Sequence, residues 1–191
     1  MKIDKVEHSE YRKLVEEIVF GSLIMEIGVW LGGSSYGLAK WASENGSILW
    51  CVDTFDGRGS GHSETIETNI GYSIGKTYST LWEFRESVNI FGGNSDRLVD
   101  HFPDDSIDFL FLDSDHRYSQ VKKDLDLWYP KVRGVMCGHD FNAPHWDERY
   151  IEDDYVNGIH HGVTKAVTEK FDKITWYDTA AVWEVRKDGR V

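Results

Sequence analysis

Apolar residues recur along this chain with two different periods, and the switches between them divide it into alternating helices and strands. Tyr11, Leu14, Val15, Ile18 and Val19 keep the spacing of one helical face, which predicts a helix within residues 1–20. Short apolar runs at Leu23–Ile27, Ile48–Val52, Val88–Phe91, Ile107–Leu112 and Val135–Gly138 read as buried strands. Between them, Ser34–Ala42 (with Ser34 as its cap), Leu81–Val88 and Tyr118–Trp128 read as helices, the last with Val121, Leu125 and Trp128 on one face. Another helix is expected at Val163–Phe171, followed by strands Ile174–Tyr177 and Ala181–Val185 around a hairpin at Asp178-Thr179. Residues 57–79 are rich in Gly, Ser and Thr, and residues 142–161 in His and Asp. Neither has a period, and both read as loops that could cover a site.

Alternation of this kind predicts one α/β domain, residues 1–191. It should be a doubly wound, Rossmann-like, mostly parallel seven-stranded sheet with an antiparallel C-terminal strand and helices on both faces. In such sheets ligands gather at the carboxyl ends of the strands, where the strand order reverses. Glu26, Asp53, Asn94, Asp113 and Asp140 all stand at predicted strand ends.

Composition narrows the partners. The 191 residues carry a formal net charge of −12, a field that repels phosphate backbones, so small molecules and metal cations are expected rather than nucleic acid. The early charges Lys2, Asp4, Lys5 and Glu7 and the lack of a spanning apolar run argue against a signal peptide or membrane segment, predicting a cytoplasmic protein. Cys51 and Cys137 sit in apolar runs far apart, as buried thiols do. Whether the chain forms a homo-oligomer is left open by the sequence.

Glu26-Ile27-Gly28-Val29-Trp30-Leu31-Gly32-Gly33-Ser34-Ser35 joins a strand to a helix. A dinucleotide fingerprint would need Gly where Trp30 stands, so NAD and FAD are disfavoured, and no GK[ST] supports a nucleotide P-loop. The segment resembles the first motif of class I S-adenosylmethionine-dependent methyltransferases. Phe109 to Tyr118, with its Asp113-Ser114-Asp115-His116-Arg117-Tyr118 block, and Gly138-His139-Asp140-Phe141 resemble the group that includes macrocin-type sugar O-methyltransferases and cephalosporin-hydroxylase-like proteins.

The resemblance implies S-adenosylmethionine as cofactor. Glu26, Gly28, Gly32 and Ser34 would lie on the methionine side, Asp53 on the ribose hydroxyls, Asn94 and Ser95 near the adenine, and Asp113 would also touch the cofactor. Asp113 and Asp140 end strands about 4.8 Å apart, close enough to share one octahedral magnesium or manganese ion. His139 stands where relatives carry an acidic or amide ligand. His116 is the first candidate base and Asp115 the second, although Asp115 also suits a helix cap.

His145, His160 and His161 read as solvated loop histidines. Trp128, Trp176 and Trp183 are expected in the core, and Trp30, Trp82 and Trp146 near ligands. Three rivals remain: a methyltransferase that needs no metal, a nucleoside-binding module without chemistry, and a nicotinamide oxidoreductase.

Overall fold

The computed structural model describes residues 21–56, 70–143, 145–152, 156–177 and 181–187. The expected N-terminal helix, residues 57–69 and the Asp178-Thr179 turn lie outside them. Seven strands form one sheet: β1 (Leu23–Ile27), β2 (Ile48–Asp53), β3 (Val88–Gly92), β4 (Ile107–Leu112), β5 (Val132–Gly138), β6 (Thr175–Tyr177) and β7 (Val182–Arg186). Their order is β3-β2-β1-β4-β5-β7-β6. β1 to β5 pair in parallel, and β7 runs antiparallel between β5 and β6. The doubly wound, mostly parallel sheet with an antiparallel C-terminal strand is therefore the observed fold.

Among the described residues four helices cover it: α1 (Gly33–Glu44), α2 (Ile70–Leu81), α3 (Tyr118–Trp128) and α4 (His161–Lys170). Because strand side chains alternate, neighbours Ile24 and Met25 feed opposite cores. Met25, Leu110 and Met136 pack with Val121 and Leu125 of α3 and Val163 and Val167 of α4. Ile24, Phe109 and Cys137 pack with Leu38 and Ala42 of α1 and Leu81 of α2 on the other face. Burial on both faces explains why these strands read as continuous apolar runs. Both cysteines are buried free thiols.

Three elements differ from expectation. Residues 70–79 are not loop but most of α2. Its inward positions include Ser73 and Thr77 beside Leu81, so hydroxyls dilute the apolar period. Those hydroxyls serve as docking points: Thr77 Oγ1 donates to the Trp30 carbonyl at 3.1 Å and Thr80 Oγ1 to that of Leu31 at 3.4 Å. The helix expected at Leu81–Val88 is one 3-10 turn, Trp82–Phe84, before β3 begins. Ser34 does not cap α1. Gly32 holds the cap position at φ +81°, without a side-chain cap, and the Ser34 hydroxyl turns to Glu26 instead. Trp128 and Trp183 are fully buried as expected, but Trp176 is exposed because β6 is the sheet's edge. Among the described residues no helix is long and apolar enough to cross a membrane.

Candidate active site

The strand order reverses between β1 and β4, and a cavity of about 590 Å³ opens there at the carboxyl ends. Gly28 joins its two halves. Its φ is +93°, and a Cβ at this position would lie 2.0 Å from the carbonyl oxygen of Asp113, so only glycine lets the two strand ends approach this closely. Its amide donates to Val52 at 2.9 Å, and the Asp113 amide donates to Ile27 at 2.8 Å.

On the β2 side, Asp53 organises the glycine loop. One carboxylate oxygen accepts the amides of Val29 and Trp30, both at 2.7 Å, and the other accepts that of Phe55 at 2.6 Å. Asp53, Trp30, Asn94 and Ser95 face the cavity, as Gly28 does. Glu26, Gly32 and Ser34 are not among its lining residues. Glu26 is fully buried beneath the loop, where it accepts the hydroxyls of Ser34 and Ser35. Burial raises its pKa, the two serine hydroxyls oppose the rise, and the result is about 8.

On the β4 and β5 side the charges crowd. Asp140 has φ +62°, a left-handed conformation that turns its carboxylate among three imidazoles. His116 Nε2 is 3.1 Å from one oxygen, while His139 Nδ1 at 3.1 Å and His160 Nε2 at 4.0 Å approach the other. Asp113 stands 3.6 Å from His116 Nε2. Burial would lower the His116 pKa, but Asp113 and Asp140 outweigh it and lift it to about 10. Burial likewise works against protonated His139, and Asp140 wins, giving about 9. Asp140 is held far below the ordinary carboxylate range because His116 and His139 overcome its burial.

Asp115 is tied elsewhere. Its carboxylate accepts the Arg117 amide at 3.0 Å and grips the Arg117 guanidinium, which overrides burial and lowers its pKa. The residue at the cap of α3 is Arg117, in extended conformation and without a side-chain cap, so Asp115 makes a turn ahead of the helix rather than capping it.

Two histidines expected in solvent are not there. His160 is largely buried, with its ring 3.9 Å from that of His116. His161 is buried at the start of α4. It accepts the Asp147 amide on Nδ1 at 2.7 Å and therefore donates from Nε2 to the Val156 carbonyl at 3.1 Å. His145 is exposed, as expected.

Asp124 of α3 was not singled out from sequence, because it reads as one more charge on an amphipathic helix. It is buried and accepts Ser114, Ser95 and Gln120 at 3.1, 3.3 and 3.1 Å, tying the loops after β3 and β4 to α3. Burial raises its pKa against those three hydrogen bonds.

Among the described residues seven aspartates line the cavity, and its two permanently cationic side chains are already engaged, Arg117 by Asp115 and Lys123 by Asp96 at 2.8 Å. A phosphate-bearing ligand would meet repulsion here, whereas a cationic one would be attracted. The donor atoms of Asp113, His139 and Asp140 lie within 4.8 Å of one another, and so do those of His116, Asp140 and His160.

A family model described as a methyltransferase domain matches residues 25–141. No curated protein is significantly similar in sequence. Among solved structures, a precorrin-6y C5,15-methyltransferase from Geobacter metallireducens is 14% identical, with a TM-score of 0.51 over 73% of this chain and 66% of its own. A SAM-dependent O-methyltransferase from Thermotoga maritima is 15% identical, with a TM-score of 0.60 over 96% of this chain and 65% of its own. The O-methyltransferase NovP is 19% identical, with a TM-score of 0.58 over 94% and 78%. The chain thus spans just under two thirds of the length of the first two. At these identities the likeness is one of fold.

Proposed function

The chain belongs to the methyltransferase domain family, and from that premise we propose that it moves a methyl group from S-adenosylmethionine to an oxygen of a small molecule, a sugar by resemblance, aided by a divalent cation. One observation carries this reading: an acidic cavity at the reversal of strand order has a loop-holding Asp53 at one end and the Asp113–Asp140 cluster at the other. S-adenosylmethionine is a phosphate-free sulfonium, and a cavity with seven aspartates and, among the described residues, no unengaged permanent cation suits it.

Asp53 still has acceptor capacity after three amide contacts, enough to receive ribose hydroxyls. Asn94 and Ser95, which line the cavity, would face the adenine, and Trp30 forms a partly exposed wall. When bound, S-adenosylmethionine supplies an electrophilic methyl carbon. Asp113, His139 and Asp140 would hold a divalent cation, which would supply Lewis acidity toward an acceptor hydroxyl. The fit for such an ion rests on two negative carboxylates and a nitrogen donor converging at one strand edge. Asp115 and His116 flank this cluster as the two candidate bases: His116 would accept the hydroxyl's proton only after losing the one that Asp113 and Asp140 hold on it, and Asp115 only after release from Arg117. The remaining work is alignment and exclusion of water, since an in-line attack depends on placement.

The test has two parts. Calorimetry with S-adenosylhomocysteine should give a one-to-one isotherm, and folded protein that produces no heat would end the whole reading. Methyl transfer across a panel of hydroxylated acceptors should then fall by about a hundredfold or more on chelation or in Asp140→Asn. Asparagine tolerates the left-handed backbone at this site, so the variant tests charge rather than shape. Turnover that is indifferent to chelator but lost in Asp140→Asn would select the metal-free reaction.

A further inference from the structure

The His160 ring stacked on His116 is more than the proposed reaction requires. His116 is buried between two carboxylates, yet neither of its ring nitrogens has an aligned hydrogen-bond partner. Buried polar atoms ordinarily find partners, and an orphaned pair asks for an explanation. His160 is brought to it by close packing. A Cβ at Gly162 would lie 2.3 Å from the Tyr118 amide nitrogen and 2.4 Å from the His116 carbonyl oxygen, so α4 can seat its first turn against the β4–α3 connection only with glycine there. The residue two before that glycine is thereby held over His116.

We infer that His116, Asp140 and His160 form a transition-metal site of the zinc, cobalt or manganese class. The inference rests on the proposed reading's placing a cation at Asp140, and it changes the ion's identity and its ligands. Ligand atoms about 2.0 to 2.1 Å from a tetrahedral ion lie about 3.3 Å apart. His116 Nε2 lies 3.1 Å from one oxygen of Asp140 and His160 Nε2 4.0 Å from the other, and one donor atom from each of the three residues lies within 4.8 Å of the other two, so side-chain adjustment of about an ångström brings them to that spacing. Two imidazoles and one carboxylate favour such ions over magnesium, which prefers an all-oxygen shell and retains its waters. Asp113, 3.6 Å from His116 Nε2, is placed as a fourth ligand or as an acceptor for metal-bound water. A ligating His116 cannot also take the substrate's proton, which leaves Asp115, once released from Arg117, as the base.

The experiment uses metal ions alone, without S-adenosylmethionine. Chelator-stripped full-length protein is titrated with Zn²⁺ and Mg²⁺ by calorimetry, and with Co²⁺ by visible absorption. Zn²⁺ should bind one-to-one and at least about a hundredfold more tightly than Mg²⁺. Co²⁺ should show the intense bands of four or five ligands rather than the faint ones of the hydrated ion. His160→Ala and His116→Ala should each weaken Zn²⁺ by about tenfold or more, while His145→Ala, at an exposed position, changes nothing. Comparable affinity for Mg²⁺, a hydrated-type Co²⁺ spectrum on the unaltered protein, or Zn²⁺ binding unmoved in both variants would overturn the inference. S-adenosylhomocysteine binding is measured separately on the same samples. Its persistence with no metal bound would leave the methyltransferase reading intact while the metal site fails.

Discussion

The two halves of the cavity use aspartate in opposite ways. At the β2 end a single carboxylate, Asp53, is satisfied by three backbone amides and shapes a loop. At the β4 and β5 end Asp113 and Asp140 are set against His116, His139 and His160, side chain against side chain. Backbone amides cannot change protonation or exchange for another ligand, so the first arrangement is fixed once folded. Imidazoles can do both, so the second can respond to a metal, a proton or a substrate oxygen. The contrast teaches where to look for affinity and where for chemistry: the β2 side should govern how tightly the nucleoside is held, and the β5 side how fast the methyl group leaves it.

The largest effect is expected from removing the hinge between the halves. Gly28→Ala must accommodate a methyl group 2.0 Å from the Asp113 carbonyl oxygen at a φ of +93°. It should destabilise the fold by about 4 kcal/mol or more, measured by urea unfolding, because the clash is with backbone that cannot step aside. A loss below about 1 kcal/mol would mean that the two strand ends are not locked together, and the division into coupled halves would lose its basis.

How much of this was legible beforehand follows the same division. Strand ends announce themselves by apolar runs stopping near a charged residue, so the sequence places Asp53, Asp113 and Asp140 at strand ends, and the alternation implies a doubly wound, mostly parallel sheet without fixing its strand order. Glu26 was found too, but its place beneath the glycine loop was not, because a one-dimensional pattern cannot say whether a strand-end carboxylate points to ligand or to helix. α2 was missed because its inward positions include Ser73 and Thr77, whose value lies in hydroxyl contacts invisible to hydropathy. His160 was missed because its burial depends on α4 docking far along the chain. The signal that could have found it was Gly162, a glycine in the first turn of a helix, where only close packing repays its conformational cost.

A smaller effect, visible only as pH varies, should separate the buried Glu26 from the cavity aspartates. Burial pushes the pKa of its carboxyl up from the ordinary 4.5 to about 8. Between those values the unfolded chain has lost a proton that the folded chain keeps, so stability falls as pH rises through the window. Glu26→Gln removes that fall. The variant's stability relative to the unaltered protein should climb by a few kcal/mol from about pH 4.5 to 8, at about 1.4 kcal/mol per unit at most, and stay level outside it. Unfolding curves taken across this range check the shape. A flat difference would show that the two serine hydroxyls keep the carboxylate charged.

The smallest effect tests the comparison most directly. Asp53→Asn keeps the shape of the side chain but presents an amide donor where one carboxylate oxygen now accepts backbone amides. One of those contacts becomes a donor facing a donor, and any ribose hydroxyl loses a charged acceptor. The expected outcome is a loss of about tenfold in S-adenosylhomocysteine affinity, about 1.4 kcal/mol, with kcat at saturating cofactor within about threefold of the unaltered protein. Asp140→Asn should show the reverse, with affinity retained and rate lost. Measuring both constants for both variants sharpens the division if each moves its own constant. It breaks the division if Asp53→Asn slows the saturated reaction as much as Asp140→Asn does, because a loop-holding carboxylate that alters the chemical step would have to act at the sulfonium itself.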